Sequence, residues 1–425
     1  WLQQWNSGYS GFRNSQMAGI SEYFIFQVPS FAASKNPVGF EDYLYQTGSS
    51  VDARWNGSWG IMRAYDGDFG TGHLIPLPNN PDGKAPPVGK KGGKPAFAGV
   101  CPRGAPERKY DVVAVRAADV LPDVSGDGLG DLAYHPDLYD PTALLYVLKS
   151  DLGPDGMLKA ERRVEPLILR AAAGECVFIT LTNQLPAVLH GPDPAFPLET
   201  QDLAGFNLLP MIVNRFNANQ IAPSSHVGLH AQLVEYDMFD SDGMNVGFNP
   251  VQTAAPGETI TYKWYAGKID IDVATGELTG TPVEYGAINL MPADPIKGSN
   301  KGLIGALIVE PEGSTWADGR KITTGKRKNK VTTIAPDGEV GEDGLLSRAA
   351  LTICTSGEFP CEPGITSFRD FVLVFQDDVN MRFTNGQTFQ TPCANGPGTC
   401  AISVLAGDPV PTVSEEEEPE DSGMK

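Results

Sequence analysis

The sequence predicts an all-β protein: several β-sandwich modules joined by long loops. Two observations carry this. Segments throughout the chain alternate apolar and polar residues with a period of two, and few stretches show a period near 3.6. Glycine and proline contribute 48 and 35 of 425 residues, a load that suits turns and strand ends better than helical bundles. At this length two or three modules are expected, and a hydrophobic content of 41% is enough to fill their cores.

Taken in chain order, 1–66 reads as the C-terminal half of a domain. AGISEYFIFQVP (18–29) is similar to APGETITYKWYA (255–266), and WGIMRAYD (59–66) to LIGALIVE (303–310). This weak internal repeat makes Gly60 and Gly305 equivalent positions. The second copy is preceded by a further half, about 110–235, and the first is not, so the chain is expected to begin inside a domain. Segment 67–109, rich in Gly, Pro, Lys and Asp, reads as a linker.

Segment 110–315 reads as a complete sandwich domain. LILRAAAGECVFITLTN (167–183) gives a strand, a Gly turn and a second strand whose inward set is Val177, Ile179 and Leu181. In 255–266, Ile260, Tyr262 and Trp264 share one face, and Thr259, Thr261 and Lys263 the other. The run around 303–310 is apolar without alternation, which suits a strand buried on both faces. A linker is expected at 316–345. SFRDFVLVFQ (367–376) then starts a further β module over 346–425, its strand expected to be buried, and the acidic run SEEEEPED forms a solvated tail.

Charge and hydropathy exclude several classes of function. The 32 basic and 52 acidic residues leave a net charge of −20, which opposes non-specific binding to a nucleic-acid backbone. No window of about 18 uninterrupted apolar residues is present to span a membrane as a helix.

The six cysteines point to an oxidising compartment: periplasm, cell surface or extracellular space. Cys354 and Cys361 enclose TSGEFP, and Cys393 and Cys400 enclose ANGPGT, two short loops of equal gap that read as local disulfides. Cys101 and Cys176 remain as a third candidate pair. No Cys-x-x-Cys is present, which weakens a zinc reading and removes covalently attached c-type haem.

A family resemblance rests on these strands taken together. LILRAAAGECVFITLTNQLP, PGETITYKWYAG and GLIGALIVEPEG resemble, in the same order, the strands of a cupredoxin domain in multicopper oxidases. DYLYQTGSSVDARWNGSWGIMRAYD in the opening half-domain is similar to the same closing region. The wording is nearest to large bacterial oxidases of the manganese- or iron-oxidising, ceruloplasmin-like type. The resemblance covers about half the chain. It implies Greek-key sandwiches, a type 1 copper held by His, Cys and usually Met, and a trinuclear copper cluster held by His-x-His pairs. Electrons would pass from a metal ion or organic donor to dioxygen. Thiolate with imidazole suits the first copper site and imidazole the second.

The sequence departs from that pattern in its ligands. Its five histidines are His73, His135, His190, His226 and His230, and no His-x-His occurs. In VGLHAQLVEY (227–236), His230 stands where a pair would begin, but Gln232 holds the partner position. No cysteine is followed closely by histidine. Two expectations follow. In one, the chain is an internal segment of a multicopper oxidase, with most copper ligands on further polypeptide of the same protein or on a partner subunit, and His230 as one ligand. In the other, it is a copper-free cupredoxin scaffold of the cell exterior, and His230 is a hydrogen-bonded strand residue.

A separate signal is DVSGDGLGDL (123–132). Asp123, Ser125, Asp127 and Asp131 recur at alternate positions, and the intervening glycines permit a tight wrap. Hard oxygen donors at this spacing suit calcium. Tyr134 occupies the twelfth position, where a helix–loop–helix calcium hand carries glutamate, so an isolated loop is expected, stabilising rather than catalytic.

Overall fold

The computed structural model describes residues 40–46, 58–65, 100–187, 224–271 and 278–376, apart from 325–330 and a few single positions, with short strand pieces beyond. The strands up to residue 310 are β1 (Phe40–Gln46), β2 (Trp59–Tyr65), β3 (Glu107–Arg116), β4 (Leu132–His135), β5 (Leu138–Asp140), β6 (Leu144–Leu148), β7 (Leu167–Ala172), β8 (Cys176–Asn183), β9 (Leu229–Ala231), β10 (Glu235–Tyr236), β11 (Thr259–Tyr265), β12 (Gly267–Ile271), β13 (Leu278–Pro282), β14 (Gly286–Pro292) and β15 (Gly305–Glu310). The fold is all-β, as the alternation predicts.

Two mixed sheets form a sandwich. One runs β10-β11-β8-β3-β6 and the other β7-β15-β14-β9. Each contains one parallel pair, β3 with β8 and β7 with β15. Strands β7 and β8, adjacent in sequence, lie in opposite sheets. The turn between them, with Gly174 at φ +86, is a crossover and not a hairpin. A period of two tells which side chains share a face, but not which sheet receives the strand.

The core lies between the sheets. Val177, Ile179 and Leu181 of β8 meet Tyr262 and Trp264 of β11, Leu167 and Leu169 of β7, Leu229 and Ala231 of β9, Ile288 and Leu290 of β14, and Leu307 and Val309 of β15. Fully burying such a side chain contributes about 1.5–3 kcal/mol. Trp264 donates its indole N–H to the Ser241 carbonyl at 2.9 Å and Tyr262 its hydroxyl to that of Gln252 at 2.8 Å, so neither buried ring leaves a polar atom unpaired. Strand β15 is buried on both faces, as its unbroken apolar run predicts. Its start, Gly305, allows close packing, since a Cβ there would lie 2.6 Å from the Leu167 carbonyl oxygen.

Both outer faces are also covered. On the five-stranded sheet, Val113 and Val115 pack with Leu145, with Ala117 and Val120 from a single helical turn, Ala117–Val120, and with Leu121 just after it. On the four-stranded sheet, Ile168, Ala306 and Ile308 pack against Ala349 and Val372. These last residues flank β20 (Ala350–Cys354) and β21 (Ser367–Phe371), which follow β16 (Lys321–Thr324), β17 (Val331–Ile334), β18 (Glu339–Val340) and β19 (Leu346–Ser347). Two expected linkers therefore carry structure. Residues 107–109 belong to β3, and 316–345 holds β16 to β18 with Trp316 and Ala317 buried. Trp316 lies 4.5 Å from the Arg108 guanidinium and packs with Leu351 and Ile353. The strand expected to be buried at 367–376 is largely exposed instead: Phe371, Leu373 and Phe375 face outward, and Val372 alone joins the cluster around Ile168.

Disulfides close Cys101 to Cys176 and Cys354 to Cys361, two of the three expected pairs. The first ties the approach to β3 against the start of β8, where Cys176 donates its N–H to the Pro106 carbonyl. Cys393 lies outside the described residues, and with it the third pair. Among the described residues no helix is long and apolar enough to cross a membrane.

Strands β1 and β2 form an antiparallel pair with Gly60 opposite Tyr45. In the sandwich, β14 and β15 pair the same way with Gly305 opposite Leu290, so the two segments matched by the repeat adopt the same kind of pairing. The β1–β2 pair docks on 246–249. Asp42 is fully buried and takes both Nε and Nη2 of Arg63, at 2.6 and 2.7 Å, together with the Phe248 N–H at 2.8 Å. Its backbone exchanges hydrogen bonds with the Asn249 side chain. The Arg63 guanidinium lies over the rings of Phe40 and Phe248.

Candidate functional site

His230 sits in the three-residue strand β9. Its neighbours Leu229 and Ala231 face the core, so alternation turns His230 to the outer face of the four-stranded sheet. Its cross-strand partner is Met291 of β14, and the Gln232 amide donates to the Met291 sulfur at 3.5 Å. Segment 237–249 covers this face. Glycines make the cover close: a Cβ on Gly228 would meet the Gly243 carbonyl oxygen at 2.0 Å, and one on Gly243, at φ +77, would meet that of Leu229 at 2.1 Å.

This contact places Asp242 against the histidine. The His230 Nδ1–H donates to the Asp242 carbonyl at 2.8 Å, with the Asp242 carboxylate at 3.2 Å. The Tyr236 ring stands edge-on to the imidazole, 6.0 Å away. Asp242 is itself held by the Gln252 side chain, whose Oε1 accepts its N–H at 2.7 Å. Burial alone would lower the His230 pKa, but the hydrogen bond and charge of Asp242 outweigh it and hold the ring above the ordinary histidine value. The anchor fixes the tautomer and orientation of the ring, an arrangement shared by metal-ligating and purely structural histidines. Asp242 belongs to DSDGMN, which reads in sequence only as a turn, so this partner is missed there. The flanking Gly228 and Gly243 were the available signal.

The described residues do not by themselves make a copper centre. Among the described residues no group of three or more His, Cys, Asp or Glu is arranged to hold a metal, and no cysteine is free. His135 lies on the surface beside Asp137, and His226 precedes β9 in an exposed loop. His73 and His190 lie outside the described residues. Among the described residues the thiolate that a type 1 site needs is missing, since every cysteine there is in a disulfide.

In the 123–131 loop, Asp123 accepts the N–H groups of Gly126 and Gly128 at 2.5 and 2.8 Å, and the Ser125 hydroxyl lies 3.4 Å from its Oδ1. Asp131 is buried, and its Oδ2 accepts the N–H groups of Val124 and Ser125 at 3.1 and 2.9 Å. The structure thus brings Asp123, Ser125 and Asp131 into one loop. Asp127 lies outside the described residues.

No protein-family model matches the sequence, and no curated protein matches it. Among solved structures, the chain is similar to a multicopper oxidase from Pseudomonas thermotolerans (15% identity, TM-score 0.26, 50% of this chain and 33% of that one). It is also similar to a blue copper oxidase from Nitrosomonas europaea (14%, 0.23, 54% and 53%) and to a laccase from Botrytis aclada (14%, 0.23, 52% and 27%). The matched part thus spans from about a quarter to about half the length of these proteins.

Proposed function

We propose that this chain is part of a multicopper oxidase that couples oxidation of a metal ion or organic donor to dioxygen reduction. Most copper ligands would come from further polypeptide of the same protein or from a partner subunit. The cupredoxin-like strand motifs support this reading. The observation that carries it is His230: an imidazole on an outer sheet face, oriented through Nδ1 by Asp242, with a methionine directly across the strand pair. Segment 237–249 links this face to the β1–β2 pair, so His230 lies near the junction of the proposed opening half-domain (1–66) with the proposed domain 110–315. The Cys101–Cys176 and Cys354–Cys361 disulfides support a place in the periplasm, on the cell surface or outside the cell.

One observation favours a second reading, a copper-free structural scaffold. The chain contains five histidines and no His-x-His, and Asp242 alone accounts for the orientation of His230. Elemental mass spectrometry on intact protein purified from its source, without added metal, separates the two. Several copper ions per chain are expected of the oxidase, on ligands beyond these residues. Copper near zero leaves the scaffold.

A further inference from the structure

We infer that the 123–131 loop binds one calcium ion, and that this ion fixes the loop to the outer face of the five-stranded sheet. This does not depend on the oxidase reading. The observation that points to a ligand is the second oxygen of Asp131. The residue is 2% exposed. Its Oδ2 is held by the amides of Val124 and Ser125, while its Oδ1 is buried and has no hydrogen-bond partner among the described residues. Nor does any cationic side chain there pair with it. A buried carboxylate oxygen left unpaired is costly, and a cation removes the cost. Because Oδ2 is pinned to residues 124 and 125, the orphaned Oδ1 lies on the same short loop that carries Asp123 and Ser125.

The remaining donors suit the ion. Asp123 Oδ1 and Ser125 Oγ are 3.4 Å apart, a separation two ligands of one calcium can take. Counted from Asp123, these residues fall at the first, third and ninth positions of a calcium loop, and Gly128, at φ +92, falls at the sixth, where the chain must turn sharply. The seventh position supplies a backbone carbonyl, so Leu129 needs no special side chain. Hard oxygen donors from a flexible loop favour calcium over magnesium, which demands a stricter octahedron. Beyond the donors, Gly130 donates its N–H to the Ala118 carbonyl and Asp131 to that of Pro122. A bound ion would therefore clamp the loop to Ala118 and Pro122, which flank Val120 and Leu121 of the cluster that covers Val113 and Val115.

Isothermal titration of the full chain with calcium chloride, after removal of divalent ions by chelation, tests this, with thermal unfolding in calcium or magnesium beside it. The expected result is about one calcium per chain, with a dissociation constant on the order of 10⁻⁵ to 10⁻³ M. A rise in Tm should accompany calcium and exceed that with magnesium. Asp123→Asn and Ser125→Ala, at surface positions that leave the core intact, should each weaken binding, the first by roughly tenfold or more. Asp131→Asn should abolish it. Absence of binding at ~5 mM calcium overturns the inference. So does binding that is unchanged in Asp123→Asn but lost when residues 414–425 are deleted, since the acidic tail would then be the site.

Discussion

Glu310 shows how much one buried carboxyl can decide. Burial pushes its pKa up to about 7 against the opposing pull of Arg170, with the charge of Asp370 adding to the rise. The Arg170 Nη1 binds both Glu310 and Asp370, and its Nη2 reaches Asp370 Oδ1 at 2.9 Å and the Arg348 carbonyl at 3.2 Å. A carboxyl whose folded pKa exceeds its unfolded value holds its proton longer in the native state. Its stabilising contribution is complete below about pH 4.5 and is lost as pH rises through about 7. Thermal unfolding should therefore show stability falling between these limits, by on the order of 3 kcal/mol. Glu310→Gln should flatten that part of the curve, and an unchanged slope in the variant would sink the assignment. At this scale the sequence is only partly legible. His230 stands out as a lone imidazole on a strand. Its partner Asp242, like the triad of Arg170, Glu310 and Asp370, is brought near by crossovers and loops that carry no periodic signal.

Elements were read more securely than their placement. The faces of β8 and β11 follow from alternation, because one residue of slip would turn every apolar side chain outward, and the double burial of β15 follows from its unbroken apolar run. The crossover between β7 and β8 does not follow, nor does the outward turn of Phe371, Leu373 and Phe375, since an apolar alternating strand looks the same whichever side is covered. Asp42 ties the β1–β2 pair to the sandwich through Phe248 and Asn249. The approach is close enough that a Cβ on Gly247 would meet its carboxylate at 2.1 Å. Asp42→Ala leaves the Arg63 guanidinium buried without its carboxylate, a loss of about 3–5 kcal/mol. Hydrogen exchange should then quicken over 40–46 and 58–65 while the sandwich strands keep their protection. Unchanged exchange in the pair would show that the ion pair does not hold it.

For the whole molecule, the Cys101–Cys176 bridge spans 75 residues. In the chain-entropy account, closing a loop of that size stabilises the fold by about 4 kcal/mol. Replacing both cysteines by serine should lower Tm accordingly, and reductant should then cost the variant less than the parent. Equal Tm values in parent and variant would place the bridge outside the stabilising framework. The all-β class and the Cys101–Cys176 and Cys354–Cys361 pairings were legible in the sequence.

The two parallel pairings also bear on how the chain is made. Strand β7, buried along its whole length, finds its parallel neighbour β15 only when residues 305–310 have been synthesised. At roughly 5–20 residues per second, this leaves an apolar strand waiting on the order of ten seconds after it leaves the ribosome. Such long-range closure folds slowly and exposes sticky intermediates. Chains cut short before residue 310 should therefore fall into inclusion bodies, while those that reach it can seal the sheet.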